Sequence, residues 1–127
     1  MTLKSMIVCP DGQLVNQLYQ SFQDIGGIHV AKDLDFYPEE GELLRLLRSA
    51  SVQVVFLGIQ EVERSLEVAR VIEKDAPGVQ VVVFSESVDN KVLVQLMRVG
   101  IREFLAPPFH HGNVGETLLR VREQAAK

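Results

Sequence analysis

Short runs of branched apolar residues alternate along the whole chain with longer stretches whose apolar positions recur every three or four residues. Met6-Ile7-Val8-Cys9 is one such run, unbroken by charge, as a strand covered on both faces requires. Pro10-Asp11-Gly12 stops it. Asp11 can cap a helix that carries Leu14, Leu18, Phe22 and Ile25 on one side, and Gly26-Gly27 ends that helix. Ile28 to Leu34 reads as a more polar strand towards a sheet edge. Glu39 to Ala50 reads as a helix with acidic residues in its first turn, Arg45 and Arg48 near its end, and Leu43, Leu44 and Leu47 on its buried side. Val52 to Ile59 is the clearest strand, centred on Val54-Val55-Phe56-Leu57. A helix from about Glu61 to Asp75 follows, and Pro77-Gly78 stops it.

Val79 to Phe84 repeats the buried-strand pattern. Asp89 can cap the next helix, which runs to Val99 and closes at Gly100. Arg102 to Leu105 is a short last strand, Ala106-Pro107-Pro108 a turn, and about Gly112 to Gln124 a final helix. Five strands alternating with five helices predict an α/β fold: a doubly wound, five-stranded parallel sheet with helices on both faces. No repeat, linker or low-complexity segment interrupts the alternation.

Length fits this reading, because 127 residues make one domain with one core. Thirteen basic against seventeen acidic residues leave a net charge of −4, which gives no electrostatic reason to expect nucleic acid or an anionic membrane as partner. Cys9 is the only cysteine, so no internal disulfide can form and nothing argues for an oxidising compartment. The apolar run at the N-terminus is too short for a signal peptide or a membrane span, and the expected location is the cytoplasm.

In a doubly wound sheet, ligands bind beyond the carboxyl ends of the strands, where the strand order switches. The residues to interrogate are therefore Cys9-Pro10-Asp11, Gly58-Ile59-Gln60, Ser85-Glu86 and Ala106-Pro107-Pro108. Gly100-Ile101-Arg102-Glu103-Phe104-Leu105-Ala106-Pro107-Pro108-Phe109 resembles the end of a response-regulator receiver (CheY-like) domain, and element order and spacing agree along the whole chain. The resemblance implies a flavodoxin-like (βα)5 fold with receiver topology. It also implies a pocket in which an acidic pair holds Mg²⁺, an aspartate accepts phosphate, and a hydroxyl and a lysine bind the phosphoryl oxygens. Laid onto this chain, the acidic pair falls on Cys9 and Pro10, the acceptor on Gly58, the hydroxyl on Ser85 and the lysine on Pro107. Gly58 has no side-chain oxygen to phosphorylate, so no phosphoryl donor, metal or other cofactor is expected. Asp11, Glu61 and Glu63 lie near the rim and read as a helix cap and solvated helix residues.

Ser85 and Phe104 match the two residues that move together when a receiver switches, although packing alone also accounts for both. Pro107-Pro108 matches a peptide bond that is usually cis in receivers. Gly-Ile-Arg-Glu-Phe-Leu is similar to the receiver-like N-terminal domains of Tad/Flp pilus-assembly proteins related to MinD and ParA ATPases. That similarity implies that residues 1–127 lead a longer protein recruited to a cell pole. No Gly-x-x-x-x-Gly-Lys-Ser/Thr occurs within them.

Other constellations carry less. Cys9 reads as packing rather than as a reactive thiol. His110 and His111 are adjacent, and neighbours on a helix do not share a face, which disfavours a metal site. A flavodoxin-type phosphate loop is not met by Cys9-Pro10-Asp11-Gly12-Gln13, which lacks hydroxyls. The helix after Asp89 has apolar residues on more than one side. Val92, Leu93, Leu96 and Met97, with Phe104 beside them, are the expected protein interface, with self-association through the fourth helix, fifth strand and fifth helix. The sequence thus predicts a non-phosphorylatable pseudoreceiver that binds proteins. Its rivals are a phosphorelay receiver that uses Asp11, and a small-molecule sensor in the vacated pocket.

Overall fold

The computed structural model describes residues 2–87 and 89–125. Along it run β1 (Leu3–Val8), α1 (Gly12–Ile25), β2 (Ile28–Leu34), α2 (Glu40–Ser49), β3 (Val54–Gly58), α3 (Val62–Asp75), β4 (Gln80–Phe84), α4 (Asn90–Val99), β5 (Glu103–Leu105) and α5 (His111–Ala125). The strands form one parallel sheet in the order β2-β1-β3-β4-β5. The chain steps outward from β1 to β2, then crosses back to β3 and builds the other way. The switch point is therefore the seam between β1 and β3.

Period-two alternation divides the core. Val55 and Leu57 of β3 face one side with Met6, Val8, Val81 and Val83, under Leu43, Leu66, Ile72 and Leu96 of α2, α3 and α4. Val54 and Phe56 face the other side with Ile7, Val82 and Phe84, under Leu14, Leu18 and Phe22 of α1 and Val114, Leu118 and Val121 of α5. The Phe22 and Phe56 rings meet at 4.9 Å. The central strands are buried on both faces, which is why they read as continuous apolar runs. β2 lies at the edge and keeps polar residues.

Boundaries agree closely with the pattern of the sequence, with one instructive difference. β1 begins at Leu3, three residues before the apolar run. Lys4 and Ser5 hide the strand because they are polar, yet the backbone pairs Leu3 with Ile28, and the buried Ser5 hydroxyl donates to the His29 carbonyl at 2.9 Å. No helix among the described residues is long and apolar enough to cross a membrane.

Candidate functional site

The β1–β3 seam is built by register. Val8 pairs with Leu57, so the residues that follow, Cys9 and Gly58, meet side by side at the carboxyl end of the sheet. Both are buried. A Cβ placed on Gly58 would lie 2.7 Å from the Cys9 Cβ and 2.8 Å from Gln60 Oε1, and closer still to Cys9 Sγ. Gly58 has no positive φ, so what it supplies is space. The Cys9 side chain occupies that space, and its thiol donates to Gln60 Oε1 at 3.2 Å.

Burial pushes the Cys9 thiol up to about 11. A backbone hydrogen bond at Asp11 opposes this, and the charges of Asp11 and Asp33 add smaller contributions in the same direction as burial. A thiol held in this state is a packing group rather than a nucleophile. Asp11 caps α1, its Oδ1 accepting from the N–H groups of Gln13 and Leu14 at 3.1 and 3.2 Å. Pro10 is half-buried between them.

A residue that sequence reasoning missed holds the opposite wall. Tyr37, in the loop before α2, is buried, and its hydroxyl donates to the Gly58 carbonyl at 2.6 Å. The same oxygen accepts from the Gln60 N–H and from the Ser65 hydroxyl, both at 3.0 Å. Ser65 also reaches the Gly58 carbonyl at 3.2 Å and the Glu61 carbonyl at 2.8 Å. Tyr37, Ser65 and Gln60 together pin the turn between β3 and α3. Glu61 and Glu63 are exposed on its outer side.

Ser85 is buried at the end of β4, and its hydroxyl donates to the Ser87 carbonyl at 2.9 Å. Pro107 is half-buried, and the Pro107–Pro108 peptide is cis. Phe104 is half-buried against the cluster under α2, α3 and α4. Among the described residues, no group of three or more His, Cys, Asp or Glu side chains is arranged to hold a metal ion. A cleft of about 270 Å³ opens beside Tyr37, between α2 and α3, and another holds about 320 Å³. The larger one is at the opposite end of the sheet, between Glu73, Gln80, Arg102, Glu103 and Arg120.

The interface expectation on α4 needs one correction. Leu96 is fully buried in the core, so it cannot face a partner. Val92 is half-buried against the same cluster and Leu93 is also half-buried. The exposed apolar groups are Val94 and Met97, at 45% and 58%. On the neighbouring edge, Arg120 of α5 grips Glu103 of β5 through two bonds of 2.8 Å.

Comparison with solved structures gives the architecture its name. A response regulator from Thermotoga maritima superposes with a TM-score of 0.74 at 23% identity, over the full length of both chains. The fold is the receiver fold. A CheY-like protein (tadZ) from Pseudomonas aeruginosa PAO1 has a TM-score of 0.78 at 17% identity, covering 94% of this chain and 99% of that one. A pilus assembly-related protein from Burkholderia pseudomallei K96243 has a TM-score of 0.81 at 15% identity, covering 99% and 93%. No family model matches the chain, and no curated protein matches it by sequence. Within the receiver fold, the seam carrying Cys9 and Gly58 is where the resemblance puts the metal-binding pair and the phosphate acceptor.

Proposed function

We propose that this chain is a receiver-fold domain without phosphoryl chemistry, which acts in signal transduction or pilus assembly by binding other proteins. The observation that carries the reading is the Cys9 side chain standing where any side chain on Gly58 would have to go. The acceptor is absent, its volume is taken, and the neighbouring thiol is protonated. In place of a lysine at the end of β5 stands Pro107, which has no charge to offer a phosphoryl group. In this reading the domain is a single cytoplasmic unit, 1–127, without cofactor, nucleic acid or inserted membrane segment, and only the pilus reading makes it the leading domain of a longer protein. In the pilus reading it helps to place its assembly at a cell pole. Val94 and Met97 on α4 supply apolar contact area for a protein partner or a second copy.

The two rivals meet specific obstacles. Asp11 already caps α1 through Oδ1, and phosphorylation at its other oxygen would remove the carboxylate charge that strengthens those two bonds. A small molecule in the vacated pocket would have to displace Cys9 and Gln60. Titration with Mg²⁺ and beryllofluoride, followed by amide NMR, tests the proposal: the expected result is no saturable shift at Gly58 or Ser85. Saturable shifts there would overturn it, as would a phosphoryl mass added to Asp11 by acetyl phosphate. Sedimentation of the wild type beside Met97→Glu reports whether α4 mediates self-association.

A further inference from the structure

We propose that His110 is a pH-sensitive latch on the start of α5. His110 immediately precedes the helix, and its imidazole folds back over the first turn. Nδ1 accepts from the Gly112 N–H at 3.0 Å and from the Asn113 N–H at 3.4 Å. Asn113 answers, its Oδ1 accepting from the His110 N–H at 2.9 Å. The two residues form a reciprocal cap three positions apart, the geometry of a capping box with an imidazole in place of a hydroxyl. Gly112 makes room for it: a Cβ there would stand 2.8 Å from the imidazole Cε1 and 3.0 Å from Nδ1. The ring position is therefore matched by a gap in the neighbouring side chains.

An imidazole caps in this way only while neutral. With the proton on Nε2, Nδ1 offers a lone pair; a second proton turns Nδ1 into a donor facing two donors. It also puts a positive charge at a helix N-terminus, where the macrodipole repels it. No compensating anion sits in the first turn of α5, which holds no acidic residue. Of the two ion pairs among the described residues, Glu67–Arg70 and Glu103–Arg120, neither involves His110. The adjacent titratable group is His111, which would add charge of the same sign. From β4, the group packed against this loop is the uncharged Phe84, edge-on to Phe109.

Unlatching would travel beyond the helix. The Asn113 amide also donates to the Pro108 carbonyl at 3.1 Å and to the Ala106 carbonyl at 3.4 Å, so the same side chain holds the loop that follows β5. Acidification would loosen that loop, which follows the edge strand β5.

Imidazole side chains change charge between about pH 5 and 8, so amide hydrogen exchange by NMR from pH 7.5 to 5 is the test. After correction for intrinsic exchange, protection at Gly112 and Asn113 in the wild type should fall roughly five- to thirtyfold on acidification, the size of a lost cap. His110→Asn keeps a capping acceptor that does not titrate, and its protection should stay flat. His110→Ala should be poorly protected at both ends of the range. A flat wild-type profile overturns the proposal, and so does an equal drop in His110→Asn.

Discussion

Replacing Gly58 with alanine adds one methyl group at the centre of the seam, and the structure says what that methyl meets. Gln60 Oε1 is the end of a flexible side chain and can swing away. The Cys9 Cβ, 2.7 Å off, cannot, because it is fixed to backbone at the end of β1, where the Cys9 N–H is bonded to the Leu34 carbonyl at 2.9 Å. Overpacking of this kind costs about 1–3 kcal/mol. For a domain of this size, about 2 kcal/mol should lower Tm by about 6–10 °C. Urea denaturation followed by circular dichroism measures the loss. The decisive arm is a double-mutant cycle with Cys9→Gly, which removes the obstructing side chain at the cost of a small cavity. In the Cys9→Gly background Gly58→Ala should recover at least about 1 kcal/mol of its cost, as coupling between touching residues allows. Gly58→Ala within about 0.5 kcal/mol of wild type, or strict additivity in the double mutant, would refute the packing argument.

Other outcomes follow from the structure. Tyr37→Phe deletes the hydroxyl shared by Gly58, Gln60 and Ser65 and should cost about 1–3 kcal/mol in urea titration, because the Gln60 N–H loses its acceptor. Cys9 should resist Ellman's reagent at pH 8 until the protein is unfolded. Its thiol is raised from 9.0 to about 11, so the native state holds a proton that the unfolded chain releases between those values. The associated stability is complete below about pH 9 and is lost as pH rises towards about 11, at most about 3 kcal/mol, and Cys9→Ala should flatten that alkaline decline. Leu96→Ala should cost about 2–5 kcal/mol by calorimetry whereas Met97→Ala stays within about 0.5 kcal/mol, since the first is fully buried and the second is 58% exposed.

Much of the fold could be read from the residues because strands covered on both faces leave uninterrupted apolar runs. β2 was bounded residue for residue as Ile28 to Leu34, since glycines precede it and charge follows. Asp11, Asp89 and Gly100 marked helix ends by local chemistry, and all three cap as expected. The surplus apolar surface of α4 was harder to read. That helix lies beside α3 as well as over the sheet, so its buried stripe is wider than one contact direction suggests, and Leu96 and Val92 fall inside it. The walls of the seam were less legible. Cys9 and Gly58 could be placed at the switch point, but the fit of one into the gap left by the other depends on the Val8–Leu57 register. Tyr37 sits 21 residues from Gly58 and 28 from Ser65, in a loop whose local pattern carries no sign of either contact.

The interlocking of residues 9 and 58 has a consequence for how such a protein could change over generations. An aspartate introduced at 58 would enter a filled seam that already feels the negative charges of Asp11 and Asp33, and would meet an obstacle before it could meet a metal. Position 9 would have to shrink or become acidic first, and that step on its own leaves a hole or an unpaired charge in the interior. Neither order of steps has a comfortable midpoint. Any step towards phosphate binding at this seam therefore starts from a packed interior rather than from an open cleft.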